Sequence, residues 1–246
     1  MPYLSRRCFA ARSTLLALLC CAALVSACGG ASTGVSSAPA APRAARQASA
    51  RAITYVALGA SDAFGIGTND PDRLNWPNDL AGELGPNVHL INLGIPGVTL
   101  AQATRDELPV ALDAQPDIVT IWLAVNDFAA DLDAATYGQQ LTGLLASLRQ
   151  HTHARVYVAN LPDLSLIPYF SAQDAVALRA RIHTWNAVIA TVCAGEGAHL
   201  VDLAAAWQDL ADHPEYISQD GLHPSTIGAQ RLAELFAAIM RQPANP

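Results

Sequence analysis

From residue 52 onward, short runs that are apolar throughout alternate with longer stretches of helical period, and this alternation constrains the fold more than any other feature of the chain. The candidate strands are Ile53 to Leu58, Val88 to Leu93, Ile118 to Leu123, Arg155 to Ala159 and His199 to Val201. Helix-like stretches lie around Pro77 to Leu84, Thr99 to Leu112, Ala134 to Gln150 and Asp174 to Cys193, and a last one runs from about Thr226 to Arg241. Strands without a polar face need cover on both sides, and crossovers long enough for a helix join parallel neighbours. The expected class is α/β in three layers, a parallel sheet of about five strands with helices on each face. No internal repeat or second domain is visible over residues 52–246.

In such sheets ligands bind beyond the carboxyl ends of the strands, so the residues just after each strand are where chemistry is expected. They read Gly59-Ala60-Ser61-Asp62, Gly94-Ile95-Pro96-Gly97, Ala124-Val125-Asn126-Asp127 and Asn160-Leu161-Pro162-Asp163 after the first four. Before the final helix comes Asp220-Gly221-Leu222-His223-Pro224.

Composition removes several chemistries. All 14 basic residues are arginine. Without lysine there is no Gly-Lys-Ser/Thr phosphate loop, no Schiff base with pyridoxal phosphate and no lysine general base. Residues 52–246 carry 8 arginines against all 21 acids, a net charge of −13. That field repels a phosphate backbone, so nucleic acid is not an expected partner.

The N-terminus reads as an address. Arg6, Arg7 and Arg12 precede an uncharged apolar run over residues 13–27, 15 residues and short for a membrane span. Small residues lead up to Cys28 in Leu24-Val25-Ser26-Ala27-Cys28, which resembles the bacterial lipobox, whose cysteine is lipidated and becomes the first mature residue. The expectation is a lipoprotein-type signal peptide over 1–27, a tether over 28–51 and a catalytic domain over 52–246. The location is then extracytoplasmic and membrane-anchored through Cys28, or alternatively secreted or periplasmic. Ser5-Arg6-Arg7-Cys8-Phe9 also resembles the start of a twin-arginine export signal. Residues 29–51 are small and polar, with too little apolar surface to offset the entropy of ordering.

A serine hydroxyl is a poor nucleophile unless a base takes its proton and a third group orients and balances that base. Ser61 follows the first strand at a turn flanked by glycine. Asp220 lies three residues before His223, close enough to hold Nδ1 and leave Nε2 for an alcohol. Read singly, Ser61 is equally a turn or cap residue, and Asp220-Gly221 a turn leading into a helix.

Taken together the blocks resemble the SGNH (GDSL-type) hydrolase family, whose signatures carry Ser, Gly, Asn and His in that chain order. The resemblance spans about residues 53–240. It implies a flavodoxin-like three-layer fold and a cofactor-free, metal-free carboxylic ester hydrolase acting as a monomer. Ser61 would be the nucleophile, with Asp220 and His223 completing the triad. Ser61, Gly94 and Asn126 would supply the oxyanion hole. The implied substrates are small-molecule, lipid or glycan esters. Two positions depart from the family pattern: Ala60 precedes Ser61 where Asp is usual, with Asp62 on the other side, and Ala124 replaces the glycine before Asn126.

Other readings fit less well. Gly59-x-Ser61-x-Ala63 is close to the nucleophile elbow of α/β-hydrolases, but there the serine follows several strands and the acid lies far upstream of the histidine. A metallophosphoesterase would need an Asp-x-His pair, which is missing at this position. A ligand-binding surface lipoprotein on the same fold is the rival of a different class, and it predicts a damaged triad. The apolar segment Leu164 to Phe170 either lines a substrate pocket or packs on itself.

Overall fold

A computed structural model of the chain describes residues 51–242. The expected signal peptide, Cys28 and all of the expected tether except Arg51 lie outside these residues. The described residues belong to one compact unit, Ala48–Pro246.

Five strands form one parallel sheet: β1 (Ile53–Gly59), β2 (Val88–Asn92), β3 (Ile118–Trp122), β4 (Arg155–Ala159) and β5 (His199–Val201). Their order is β2-β1-β3-β4-β5. In register, Gly59 faces Trp122 across the β1–β3 pair and Ala57 faces Asn92 across β1–β2. β3 is buried along its whole length, as its unbroken apolar run requires, whereas the short edge strand β5 is only partly covered.

The helices, in chain order, are α1 (Ser61–Phe64), α2 (Trp76–Leu84), α3 (Leu100–Asp106), α4 (Leu108–Asp113), α5 (Ala124–Ala129), α6 (Ala134–His151), α7 (Ala175–Glu196), α8 (Leu203–Ala206) and α9 (Thr226–Met240). Right-handed crossovers from this strand order put α2 on one face of the sheet and α3, α4, α6 and α7 on the other. α9 closes over α2, where Trp76 and Phe236 stack at 4.6 Å. On the opposite face Trp185 of α7 meets Phe128 of α5 at 5.4 Å and Tyr137 of α6 at 4.8 Å. The longer helices start on side-chain caps: Asn75 for α2, Asp133 for α6, Asp174 for α7 and Ser225 for α9 each accept from an amide of the first turn.

One expected helix is divided. The stretch Thr99 to Leu112 forms α3 and α4, which meet at Glu107. Pro109 has no amide hydrogen to give to the carbonyl four residues earlier, so the ladder breaks there and a new helix begins with proline in its first turn.

The chain leaves β1 toward β2 in one direction, and every later strand is added in the other. The topological switch point therefore lies between β1 and β3, and the crevice at their carboxyl ends is where this topology binds ligands. Ser61 follows β1 and Asn126 follows β3.

Candidate active site

Ser61 is the first residue of α1, a single turn set directly on the end of β1. At this position its amide has no partner within the helix, and among the described residues it has no acceptor elsewhere. Its Oγ lies 2.8 Å from His223 Nε2. His223 Nδ1 lies 2.7 Å from Asp220 Oδ2, while the other carboxylate oxygen accepts the amides of Leu222 at 2.8 Å and His223 at 3.0 Å. With Nδ1–H donated to the carboxylate, the lone pair of Nε2 faces the serine hydroxyl, and Ser61 donates. Partial burial would raise the Asp220 carboxyl, but the His223 and Leu222 amides and the imidazole more than offset it and hold the group well below the usual carboxylate range. Asp220 is thus a fixed anion behind the imidazole.

The turn carrying these two residues is braced on both sides. Ser218 N donates to His223 O at 2.8 Å, and Tyr169 N donates to Gly221 O at 2.9 Å. The segment 164–170 therefore does more than one thing. Leu164 and Ile167 line the cavity beside Ser61, Phe170 packs in the core against Phe128 at 6.4 Å, and Tyr169 is exposed while its backbone props the histidine turn.

Asn126 lies in α5 and lines the same cavity as Ser61 and His223. One hydrogen of its Nδ2 is donated to Val98 O at 2.8 Å, which aims the amide and leaves the second hydrogen available. Its neighbour Asp127 is buried and accepts the amide of Leu100 at 2.8 Å, tying α5 to the start of α3. Ala124 is fully buried as the first residue of α5 and does not line the cavity.

Gly94 lies in the loop after β2, beside the nucleophile turn. Its amide donates to Asn92 Oδ1 at 3.1 Å, and it lines a separate cleft with Phe64, Asn75 and Asn92. Its lack of a side chain serves packing, because a Cβ would fall 2.7 Å from Phe64 N and 3.0 Å from Ala60 O. In the same turn Gly97, at φ +77°, has an amide with no acceptor among the described residues. It immediately precedes Val98, whose carbonyl holds Asn126.

Two further acids lie under the nucleophile turn. Asp62 accepts from the Trp76 indole at 3.2 Å, and burial pushes its carboxyl up to about 6. It braces α1 against α2, and the Asp62 and Ala63 amides of α1 oppose the effect of burial. Glu107, at the α3–α4 junction, is 1% exposed, and its Oε2 accepts the Gly59 amide at 3.1 Å. Burial pushes its carboxyl up to about 8, helped by the nearby Asp62 and Asp106 carboxylates and opposed by the Gly59 hydrogen bond. No sequence signal marked Glu107, since an acid before Leu-Pro reads as an ordinary helix start.

A serine, imidazole and carboxylate in line at a strand-end crevice, beside an aimed side-chain amide, is a constellation for nucleophilic attack on a carbonyl. Residues 57–231 match the GDSL-like Lipase/Acylhydrolase family. The chain belongs to that family. No curated protein matches it. Among solved structures, this GDSL-type hydrolase is similar to TesA, at 23% identity and TM-score 0.62 over 76% of this chain and 98% of that one. It is also similar to an acetyl-xylooligosaccharide esterase, Axe2, from Geobacillus stearothermophilus, at 18% identity and TM-score 0.63 over 80% and 97%. A third is the psychrotrophic esterase EstA from Pseudoalteromonas sp., at 19% identity and TM-score 0.60 over 77% and 97%. At these identities the likeness establishes the five-stranded α/β fold, as expected from the sequence.

Proposed function

We propose that this GDSL-type hydrolase cleaves carboxylic esters through an acyl-enzyme on Ser61. The observation that carries the reading is the unbroken line from Ser61 Oγ to His223 Nε2, 2.8 Å, and from His223 Nδ1 to Asp220, 2.7 Å. Oγ attacks the ester carbonyl as its proton passes to Nε2. The negative charge that develops on the carbonyl oxygen meets the Ser61 amide and the free hydrogen of Asn126 Nδ2. The third donor in this proposal is the amide of Gly94, which packs directly against the Ala60–Phe64 turn that carries Ser61. Collapse of the tetrahedral intermediate breaks the bond to the alcohol, which takes the proton from Nε2. A water then attacks the acyl-enzyme, gives its proton to Nε2, and releases the acid as the proton returns to Ser61.

Relatives in fold support the ester class: Axe2 is named an acetylxylan esterase, and EstA is an esterase solved with monoethylphosphonate as inhibitor. Attachment to a membrane through Cys28 belongs to the same proposal and rests on the sequence alone.

A fluorophosphonate probe is expected to label Ser61 in the folded protein. Ser61→Ala and His223→Ala are each expected to lower kcat for p-nitrophenyl acetate on the order of 10,000-fold or more. Full activity in either variant would overturn the triad. Absence of labelling in folded protein would favour a ligand-binding lipoprotein on this fold.

A further inference from the structure

Resting on the ester-hydrolase reading, we propose that the site selects its substrate by the acyl half, taking acyl groups of about two to four carbons and accepting much larger alcohols. The cavity beside Ser61 is small, about 50 Å³, and partly open to solvent. A water-sized group needs roughly 10–15 Å³ of such space, so roughly three to five of them fit, and a methylene takes about the room of a water. The walls are apolar: Trp122 and Leu123 at the end of β3, Leu164 and Ile167 after β4, Trp207 after α8, and Leu222 beside the histidine. All of these except Leu222 are more than nine-tenths buried. A long chain could enter only by displacing packed side chains from a close-packed interior, which is costly. No arginine lines the cavity and Asp62 does, so the acyl group it fits is uncharged.

The order of bond breaking decides which half of the ester occupies this space. The acyl group stays bonded to Ser61 Oγ after the alcohol has left, so a narrow pocket can hold it through both steps. The alcohol must depart, and a water must take its place, within reach of His223 Nε2. That side needs access to solvent, and it has it: the cavity that His223 lines is partly open, and the side chain of His223 is 19% exposed. The narrow apolar space is therefore the acyl subsite, and the alcohol lies toward solvent on the Nε2 side of His223.

Two substrate series on the wild-type protein test this. In the first, p-nitrophenyl acetate, butyrate, octanoate and laurate vary the acyl group at constant leaving group. In the second, acetate esters run from small alkyl alcohols to acetylated oligosaccharides. The expected result is a kcat/KM that peaks at acetate or butyrate, falls at least about tenfold by octanoate, and varies less steeply along the alcohol series. Ile167→Ala is expected to raise the octanoate-to-acetate ratio about tenfold or more by opening the wall. Octanoate or laurate matching acetate in the wild type, or a steeper dependence on the alcohol than on the acyl group, overturns the acyl-size inference and leaves the hydrolase reading standing. Hydrolysis of none of these esters by folded protein overturns both.

Discussion

Glu107 is the residue whose chemistry is least like its surroundings. A carboxyl that is 1% exposed, with one oxygen on the Gly59 amide and the other without a partner, sits at the end of the strand that delivers the nucleophile. With its titration pushed up to about 8 by burial, it is mainly a neutral acid at pH 7, and its oxygen satisfies an amide that would otherwise be buried unpaired. Because the folded-state value lies above the ordinary 4.5, the folded protein holds a proton that the unfolded chain releases. The stability this contributes is complete below about pH 4.5 and is lost as pH rises through about 8. Glu107→Gln keeps an oxygen for Gly59 and removes the titration. The variant is therefore expected to gain on the wild type by up to about 1.4 kcal/mol per pH unit between pH 5 and 8. Melting temperatures of both proteins measured across that range check this; parallel curves would mean that Glu107 does not titrate as argued. The same residue marks a limit of sequence reading. Ser61, Asp220 and His223 were legible because strand-end position and the Asp-x-x-His spacing are local, whereas the burial of Glu107 depends on how α3 and α4 fold back under β1.

At the scale of elements, the strands and long helices followed from period and length, but the short helices that shape the site did not. α1 has four residues and α5 six, too few for a helical period to register and too few to be stable alone. Tertiary contacts hold them. Asn92, at the end of β2, donates to Ala63 O at 2.6 Å and accepts from Gly94 N at 3.1 Å, so one side chain ties the nucleophile turn to the loop after β2. Asn92→Ala removes these bonds and a longer one to Asn75 Oδ1 at 3.4 Å, and is expected to destabilise the fold by about 1 to 3 kcal/mol. If the tie also sets the position of Ser61, kcat should fall on the order of 10- to 100-fold with little change in KM. Denaturant unfolding and p-nitrophenyl acetate kinetics on the same preparation separate the two effects. A lower stability with unchanged kcat would make Asn92 a brace of the fold and nothing more.

Over the whole molecule, charge and catalysis are separated along the chain. Residues 28–246 carry 11 arginines against 21 acids, a net charge of −10, and the acids are all beyond residue 61. Among the described residues no helix is long and apolar enough to cross a membrane. A domain of this sign is repelled by anionic headgroups, while Arg43, Arg46 and Arg51 lie on the acid-free segment and would be drawn to them, each by about 1 kcal/mol near the surface. That attraction alone is too weak for stable anchoring, which takes acyl chains or a chain assisted by basic residues. Under the proposed attachment, retention at the membrane therefore depends on Cys28, with the arginines as a minor, salt-sensitive supplement. Wild-type protein is expected to incorporate radiolabelled palmitate in cells and Cys28→Ser is not, with p-nitrophenyl acetate hydrolysis per folded molecule unchanged, because Ser61, Asp220 and His223 lie in a separate part of the sequence. Absence of label from the wild type, or equal label in Cys28→Ser, would overturn the lipid reading; the membrane fraction alone does not decide it, because an uncut apolar run over residues 13–27 would also hold the variant there.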